Sequence, residues 1–179
     1  MVLSALAQSS EIRPTTKGAR AALLAGRYDD AVYILTKITE EDPLSEEAWL
    51  FLGVAHSHTR QLKAAVADES KAIELMPSDA QAWTNRATIE SDLGKYDRAT
   101  ADASEAIRLQ PSIAAAYIAR ATARAGRRDF DGAEHDATAA INLDPGGRTR
   151  GSFAGMRARL AAHANSLSRI SRNTWSSPT

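Results

Sequence analysis

Residues 46–79 read EEAWLFLGVAHSHTRQLKAAVADESKAIELMPSD, and this stretch decides the fold. After the aromatic Trp49, its apolar residues have helical rather than alternating spacing. A second helical pattern starts at Ala65, runs to Leu75 and stops at Pro77, a residue that cannot continue a helix. The stretch therefore predicts two helices joined by a short turn.

The same pattern recurs along the chain with a period of 34 residues and without an insertion. The recurring positions are the prolines Pro43, Pro77, Pro111 and Pro145, the alanines Ala31, Ala65, Ala99 and Ala133, the bulky residues Tyr28, Leu62, Tyr96 and Phe130, the small residues Ala19, Gly53, Ala87 and Ala121, and the aromatics Trp49, Trp83 and Tyr117, whose place in the first copy is taken by Thr15. A fixed period of this length is the signature of repeat architectures. The sequence predicts four copies of one helix pair.

Each repeated position has a physical reason in a helix pair. The small residue at Gly53 leaves room for a neighbouring helix, and Trp49, one helical turn earlier, fills the space beside that contact. Gly26 and Gly94 mark the turns between helices, because glycine accepts backbone angles that other residues resist.

Together these positions resemble the tetratricopeptide repeat, whose pattern is Trp, Leu-Gly, Tyr, Ala, Phe, Ala and Pro. The resemblance covers about three quarters of the chain and divides it into repeats at 12–45, 46–79, 80–113 and 114–147. The family implies an all-α fold, a right-handed α-solenoid of antiparallel helix pairs. The family's aromatic in the second helix is replaced by Glu69, Ala103 and Ala137, which predicts thinner packing there.

The two ends of the chain depart from the repeat. Residues 1–11 are expected to be disordered or a partial helix, and the first repeat carries Pro14 and Gly18 in its first helix, which predicts a frayed edge. Apolar residues at spacings of three and four predict a capping helix over 148–168 that covers the last repeat. The Ser- and Arg-rich residues 169–179 predict a disordered tail.

Composition excludes several classes of protein. The chain has no cysteine, which rules out disulfides and thiolate chemistry. Lys plus Arg and Asp plus Glu are balanced at 22 each, but residues 145–179 hold six arginines and no acid. The first residues lack the basic and apolar regions of a signal peptide, and no run approaches the roughly 20 apolar residues that cross a membrane. We expect a soluble, cytoplasmic protein.

No group of residues indicates catalysis, a cofactor or a metal. His56 and His58 are two apart and so lie on different faces of a helix; His56 takes the family's tyrosine position, where a packed, hydrogen-bonded role is expected. Asp68, Asp102 and Asp136 recur at the repeat period, and we interpret them as one structural position copied in each unit. The chain has no glycine-rich phosphate loop and no nucleophile elbow, so we expect no enzyme.

Binding of other proteins is the predicted function. The resemblance places the first helix of each repeat along a concave groove that takes a peptide or helix of a partner. The predicted groove residues are Arg13, Lys17, Arg20, Leu50, Phe51, Val54, His58, Gln81, Thr84, Asn85, Thr88, Ile118 and Thr122. Such a groove is basic at one end, apolar in the middle and neutral polar beyond. In the alternative interpretation, Leu50, Phe51 and Val54 only pack against the neighbouring repeat.

Two kinds of partner are consistent with the sequence. One is a different protein, bound by an adaptor; the other is a second copy of the chain, stacked on the weak first repeat. Some family members are co-chaperones that grip a C-terminal carboxylate with a clamp of lysine, arginine and asparagine side chains. Only Asn85 matches that clamp, so any co-chaperone-like role would lack it. Nucleic acid is disfavoured, because the C-terminal arginines have only Trp175 beside them for stacking and no recognised motif.

Overall fold

The computed structural model describes residues 15–145, which form eight α-helices and no strand. The helices are α1 (Thr16–Leu24), α2 (Tyr28–Glu41), α3 (Glu46–His58), α4 (Leu62–Leu75), α5 (Ala80–Asp92), α6 (Tyr96–Leu109), α7 (Ala114–Gly126) and α8 (Phe130–Leu143). Odd-numbered helices are the first members of each pair and even-numbered helices the second. None of the eight has the length and apolarity that crossing a bilayer requires.

The chain divides after Leu75 into two compact units. Unit 1 contains α1–α4 and unit 2 contains α5–α8. The predicted segment 1–11, the predicted capping helix 148–168 and the predicted tail 169–179 lie outside the described residues.

The turn inside each helix pair needs a left-handed backbone. Gly26 and Gly94 adopt it in the first and third pairs, with φ of 71° and 74°. The second and fourth pairs place Arg60 and Arg128 at the same position, with φ of 64° and 67°. A side chain in this region costs roughly 1–2 kcal/mol, so these two turns are held by the packing of their helices.

Helix α1 begins later than the repeat register suggests. Its N-cap is Thr15, whose extended backbone and hydroxyl, which accepts a 3.1 Å hydrogen bond from the Gly18 amide, start the helix at Thr16. Pro14, which the sequence places in the first helix, lies outside the described residues. Gly18 does lie in α1, in its first turn.

Alanine supplies most of the core of both units. In unit 1 a cluster around Leu35 joins Ala19, Ala31 and Ala55. In unit 2 the helices meet at alanines throughout, as at the contact of Ala87 and Ala103. Small residues let the helix backbones approach closely, so a short repeat buries its first helix against its second.

Glu69 corrects the expectation of thin packing in the second repeat. Its side chain is fully buried and lies so close to Gly53 that an added Cβ at Gly53 would stand 2.7–2.9 Å from its Oε1, Cγ and Cδ atoms. The methylene groups of Glu69 thus fill the space that the family gives to an aromatic ring. The equivalent residues Ala103 and Ala137 are also buried.

Candidate functional site

The predicted groove residues fall on two surfaces, one in each unit. We call the first the α1–α3 face; it consists of Lys17, Arg20, Leu50, Phe51, Val54 and His58, together with Leu24, which is introduced below. We call the second the α5–α7 face; it consists of Gln81, Asn85, Thr88 and Thr122. Arg13 lies outside the described residues.

On the α1–α3 face, an aromatic ring joins the two helices. Phe51 of α3 is half-buried and packs against the unit 1 core, and the guanidinium carbon of Arg20 lies 5.9 Å from its ring centroid. This cation–π contact holds Arg20 over the ring while its side chain stays exposed. Leu50 and Val54 are half-buried beside Phe51 on α3, and Lys17 is exposed one turn before Arg20. The predicted mixture of basic and apolar residues is therefore present on one surface of unit 1.

Leu24, which the sequence analysis did not assign to the groove, extends this surface. Its side chain is 84% exposed at the end of α1, four residues after Arg20. It occupies the same repeat position as His58, and that correspondence would have predicted that Leu24 lies in the groove. An isolated apolar residue exposed to this degree is ordinary, but one that continues a half-buried apolar surface enlarges the area open to a partner.

His58 lies at a corner of the α1–α3 face. Its ring stacks on Tyr28 with centroids 4.2 Å apart and planes 3° from parallel, so it ties the end of α3 to the start of α2. Beside the stacked pair is an open depression of about 520 Å³, which Arg27 and Asp30 also line. Those two residues are joined by a 3.0 Å ion pair across the first turn of α2, so their charges offset each other.

The α5–α7 face is polar and uncharged. The Gln81 amide donates a 2.7 Å hydrogen bond to Asn85 Oδ1, and Thr88 is exposed one turn further along α5. On α7 the hydroxyl of Thr122 is half-buried and donates to the Ile118 carbonyl at 2.9 Å. Amides and hydroxyls of this kind suit hydrogen bonds to a partner's backbone.

Two predicted groove residues are buried instead. Thr84 is 3% exposed, and its hydroxyl donates to the Ala80 carbonyl at 2.7 Å. Ile118 is 7% exposed and belongs to an apolar cluster with Ala121 and Ala137. Ile118 is covered by alanines of α7 and α8. Neither residue is accessible to a partner.

The repeated aspartates are structural, as predicted. Each is buried on a second helix and meets a cation or a histidine from the first helix of the same pair. The Arg86 guanidinium donates to both Asp102 oxygens at 2.7 and 2.9 Å, and Arg120 makes the same bidentate contact with Asp136. Arg124 adds a third bond to Asp136, at 2.9 Å. Two-point bonds of this kind fix the angle between the helices.

The second pair makes the same link with a weaker partner. His56 Nδ1 lies 2.6 Å from Asp68 Oδ2, which confirms the predicted hydrogen-bonded role of His56. Burial raises the pKa of the Asp68 carboxyl, and the hydrogen bond and charge of His56 only partly offset that rise. Among residues 15–145 no group of three or more histidines and carboxylates is arranged to hold a metal ion.

Glu90 differs from the repeated aspartates. Its residue is 3% exposed, and its Oε2 has no hydrogen-bond partner in the part of the chain that the structure describes. Burial raises the pKa of Glu90, and the nearby negative charge of Asp102 raises it further. Glu90 holds the repeat position of His56 and Arg124, so the third pair has an acid where its neighbours have a base.

Comparison with known families identifies the chain. Two tetratricopeptide repeat family models match it, one over residues 16–82 and the other over residues 80–113. Together they span more than half of the sequence. The chain is a tetratricopeptide repeat (TPR) protein. Among curated proteins, no sequence matches it.

Solved structures support the same TPR assignment. The MamA protein is 25% identical, with a TM-score of 0.66 over 73% of this chain and 71% of its own. The Arabidopsis OM64 TPR domain is 26% identical, with a TM-score of 0.61 over 66% of this chain and 96% of its own. The TPR2B domain of yeast Sti1, solved in complex with pHsp70, has the same TM-score at 24% identity over 66% and 97%. The predicted all-α TPR fold is confirmed, and TPR domains are in general non-catalytic protein-interaction scaffolds.

Proposed function

We propose that this TPR protein is a non-catalytic adaptor that holds a peptide or helical segment of a partner protein on the α1–α3 face. The observation that carries the proposal is the apolar surface that this face leaves open to solvent. Leu50 and Val54 remain half-exposed beside Phe51, and Leu24 adds a side chain that is 84% exposed.

The energy available from this surface is sufficient for specific binding. Covering one exposed leucine side chain contributes roughly 1.5–3 kcal/mol. A partner that covered Leu24 together with the open parts of Leu50 and Val54 would gain several kcal/mol before the cost of ordering its own chain. The α5–α7 face offers hydrogen bonds but little apolar area, so we place the main contact in unit 1.

The test is selection of binders from a random library of helix-length peptides displayed on phage, with the whole chain as bait. The native chain is expected to enrich a family of peptides, and the double variant Leu50→Gln, Val54→Gln is expected to lose them. The matched control is Tyr33→Gln, Leu44→Gln, because these two side chains are 69% and 76% exposed in the same unit and lie outside the α1–α3 face.

The variants separate loss of binding from loss of structure. Circular dichroism must show unchanged helix content for each variant. Because Leu50 and Val54 are half-buried, a second variant, Leu24→Gln, removes apolar surface without touching the core. It should weaken binding roughly tenfold. Undiminished selection by both Gln variants would refute the assignment to this face, and so would equal loss in the Tyr33, Leu44 control.

Self-association is a second candidate, supported by the surface of α8. Ile141 and Leu143 are 47% and 42% exposed. The residues 34 positions earlier, Ile107 and Leu109, pack against a core cluster that includes Ala116 of α7. In the preceding pair the corresponding face of α6 is covered by α7, whereas on α8 this face is partly exposed. Light scattering over a concentration series, with native chain and Ile141→Gln, tests whether a second copy covers it; a constant monomer mass would exclude this role.

A further inference from the structure

The charged groups of the α1–α3 face are unbalanced. Lys17 and Arg20 are both exposed, and neither makes an ion pair with any residue from 15 to 145. Arg27 and Lys37, two other exposed cations of unit 1, are each paired with a carboxylate three residues later, Arg27 with Asp30 and Lys37 with Glu40.

The helices of this face contain almost no acid to balance the two cations. Helix α1 has no acidic residue, and α3 has acids only in its first turn, at Glu46 and Glu47. From Ala48 to His58 the exposed and half-buried side chains of α3 are apolar, hydroxyl or imidazole groups. The surface therefore combines two cations with an apolar strip.

We infer that the segment bound on the α1–α3 face is amphipathic and acidic, with carboxylates that meet Lys17 and Arg20 and apolar side chains that cover Leu24, Leu50 and Val54. This inference rests on the proposed function and adds the chemistry of the partner. Two cations are too few to follow a nucleic acid backbone, and the apolar strip beside them offers no charge to a phosphate group. A carboxylate next to leucine-type side chains satisfies both parts of the surface.

Arg20 is the residue we expect to discriminate most strongly between acidic and neutral segments. Its guanidinium is held over the Phe51 ring, so less side-chain freedom is lost when a carboxylate binds. A guanidinium can also donate two parallel hydrogen bonds to one carboxylate. Lys17, one turn earlier, acts as a mobile point charge. The contact needs no free chain terminus, in contrast to a clamp for a C-terminal carboxylate.

The test compares the composition of peptides selected by two forms of the chain. Native chain should enrich peptides with Asp or Glu next to Leu, Ile or Phe. The variant Lys17→Gln, Arg20→Gln should still select apolar peptides and lose the preference for acids. A peptide enriched by the native chain should bind this variant roughly threefold to tenfold more weakly, and its affinity for the native chain should fall as salt rises.

The matched control removes two other exposed cations that make no ion pair within residues 15–145, through Lys63→Gln and Lys95→Gln. It should bind like the native chain. Selected peptides without acidic residues, or equal loss in this control, would overturn the inference and leave the proposed function intact. Failure of the native chain to enrich any peptide would overturn the proposed function itself. Displacement of the peptide by a short single-stranded oligonucleotide at matched charge would show that the face takes polyanions, and would also overturn the inference.

Discussion

Replacing Glu90 with glutamine should stabilise the fold at neutral pH. Glutamine has nearly the shape of glutamate and carries no charge, so Glu90→Gln keeps the packing around a residue that is 3% exposed. It removes a carboxylate whose Oε2 has no hydrogen-bond partner in residues 15–145. An ionised group that is buried without a partner costs about 1–3 kcal/mol or more. Since the amide of glutamine also needs partners, we expect a net gain of about 1–2 kcal/mol near pH 7.

The pH dependence of that gain has a definite sign. Burial and the charge of Asp102 raise the pKa of Glu90 above its ordinary value of 4.5, although Arg86, Arg98 and Lys95 act in the opposite direction. A raised pKa in the folded state means that Glu90 favours folding while it is protonated, below pH 4.5. That contribution is lost as pH rises through the folded-state pKa. The stability difference between variant and native chain should therefore be near zero at about pH 4 and grow toward neutral pH.

Urea denaturation followed by circular dichroism at a series of pH values measures this difference. Subtracting the native curve from that of the variant removes the contribution of titrating groups that do not interact with Glu90. Glu134→Gln is the matched control, because Glu134 is exposed on α8 and its replacement should change stability little. A Glu90→Gln chain that is less stable than the native one near pH 7, or a difference that does not change with pH, would refute the reasoning.

Three further changes test the packing of unit 2. Gly126→Ala should lower the free energy of unfolding by about 1–3 kcal/mol in urea, since the added methyl group would overlap the Tyr96 ring; an unchanged midpoint would mean that the ring moves aside without cost. Asp136→Ala should cost about 3 kcal/mol, because two half-buried guanidinium groups lose their shared buried partner, and thermal unfolding that matches the native curve would contradict this. Deleting residues 148–168 should increase binding of an apolar dye if the predicted capping helix covers Ile141; equal dye fluorescence in both chains would argue against that cap.

The ion pairs between the two helices of a repeat have a signal in the sequence. Arg86 and Asp102 are 16 residues apart, and so are Arg120 and Asp136. A fixed spacing between a base on the first helix and an aspartate on the second is a signal of pairing within one repeat. The second pair hides the signal, because Leu52 takes the place of the arginine and His56 meets Asp68 from a different position, 12 residues away. Covariation between neighbouring repeats of one chain would have been enough to propose the contact.

The sequence predicts most residues of the α1–α3 face but not how deeply each one is buried. The sequence does not decide between binding and packing for Leu50, Phe51 and Val54. In the structure Phe51 packs against the core, while Leu50 and Val54 stay half-exposed. Leu24 was missed, because an apolar residue at a helix end looks like core in a one-dimensional pattern. Its exposure depends on which neighbours surround the end of α1 in three dimensions.

The repeat period, the helix pairs and the points where helices end can be predicted from the amino-acid sequence. These features depend on local causes: proline stops a helix, glycine permits the left-handed turn, and helical spacing of apolar residues is visible within one repeat. Tertiary structure decided which side of each first helix meets solvent. Thr84 and Thr88 are one turn apart on α5, yet one is buried and the other exposed, in a helix that packs against both α6 and α7. The contact of α5 with α7 joins two different repeats, beyond the reach of any local pattern.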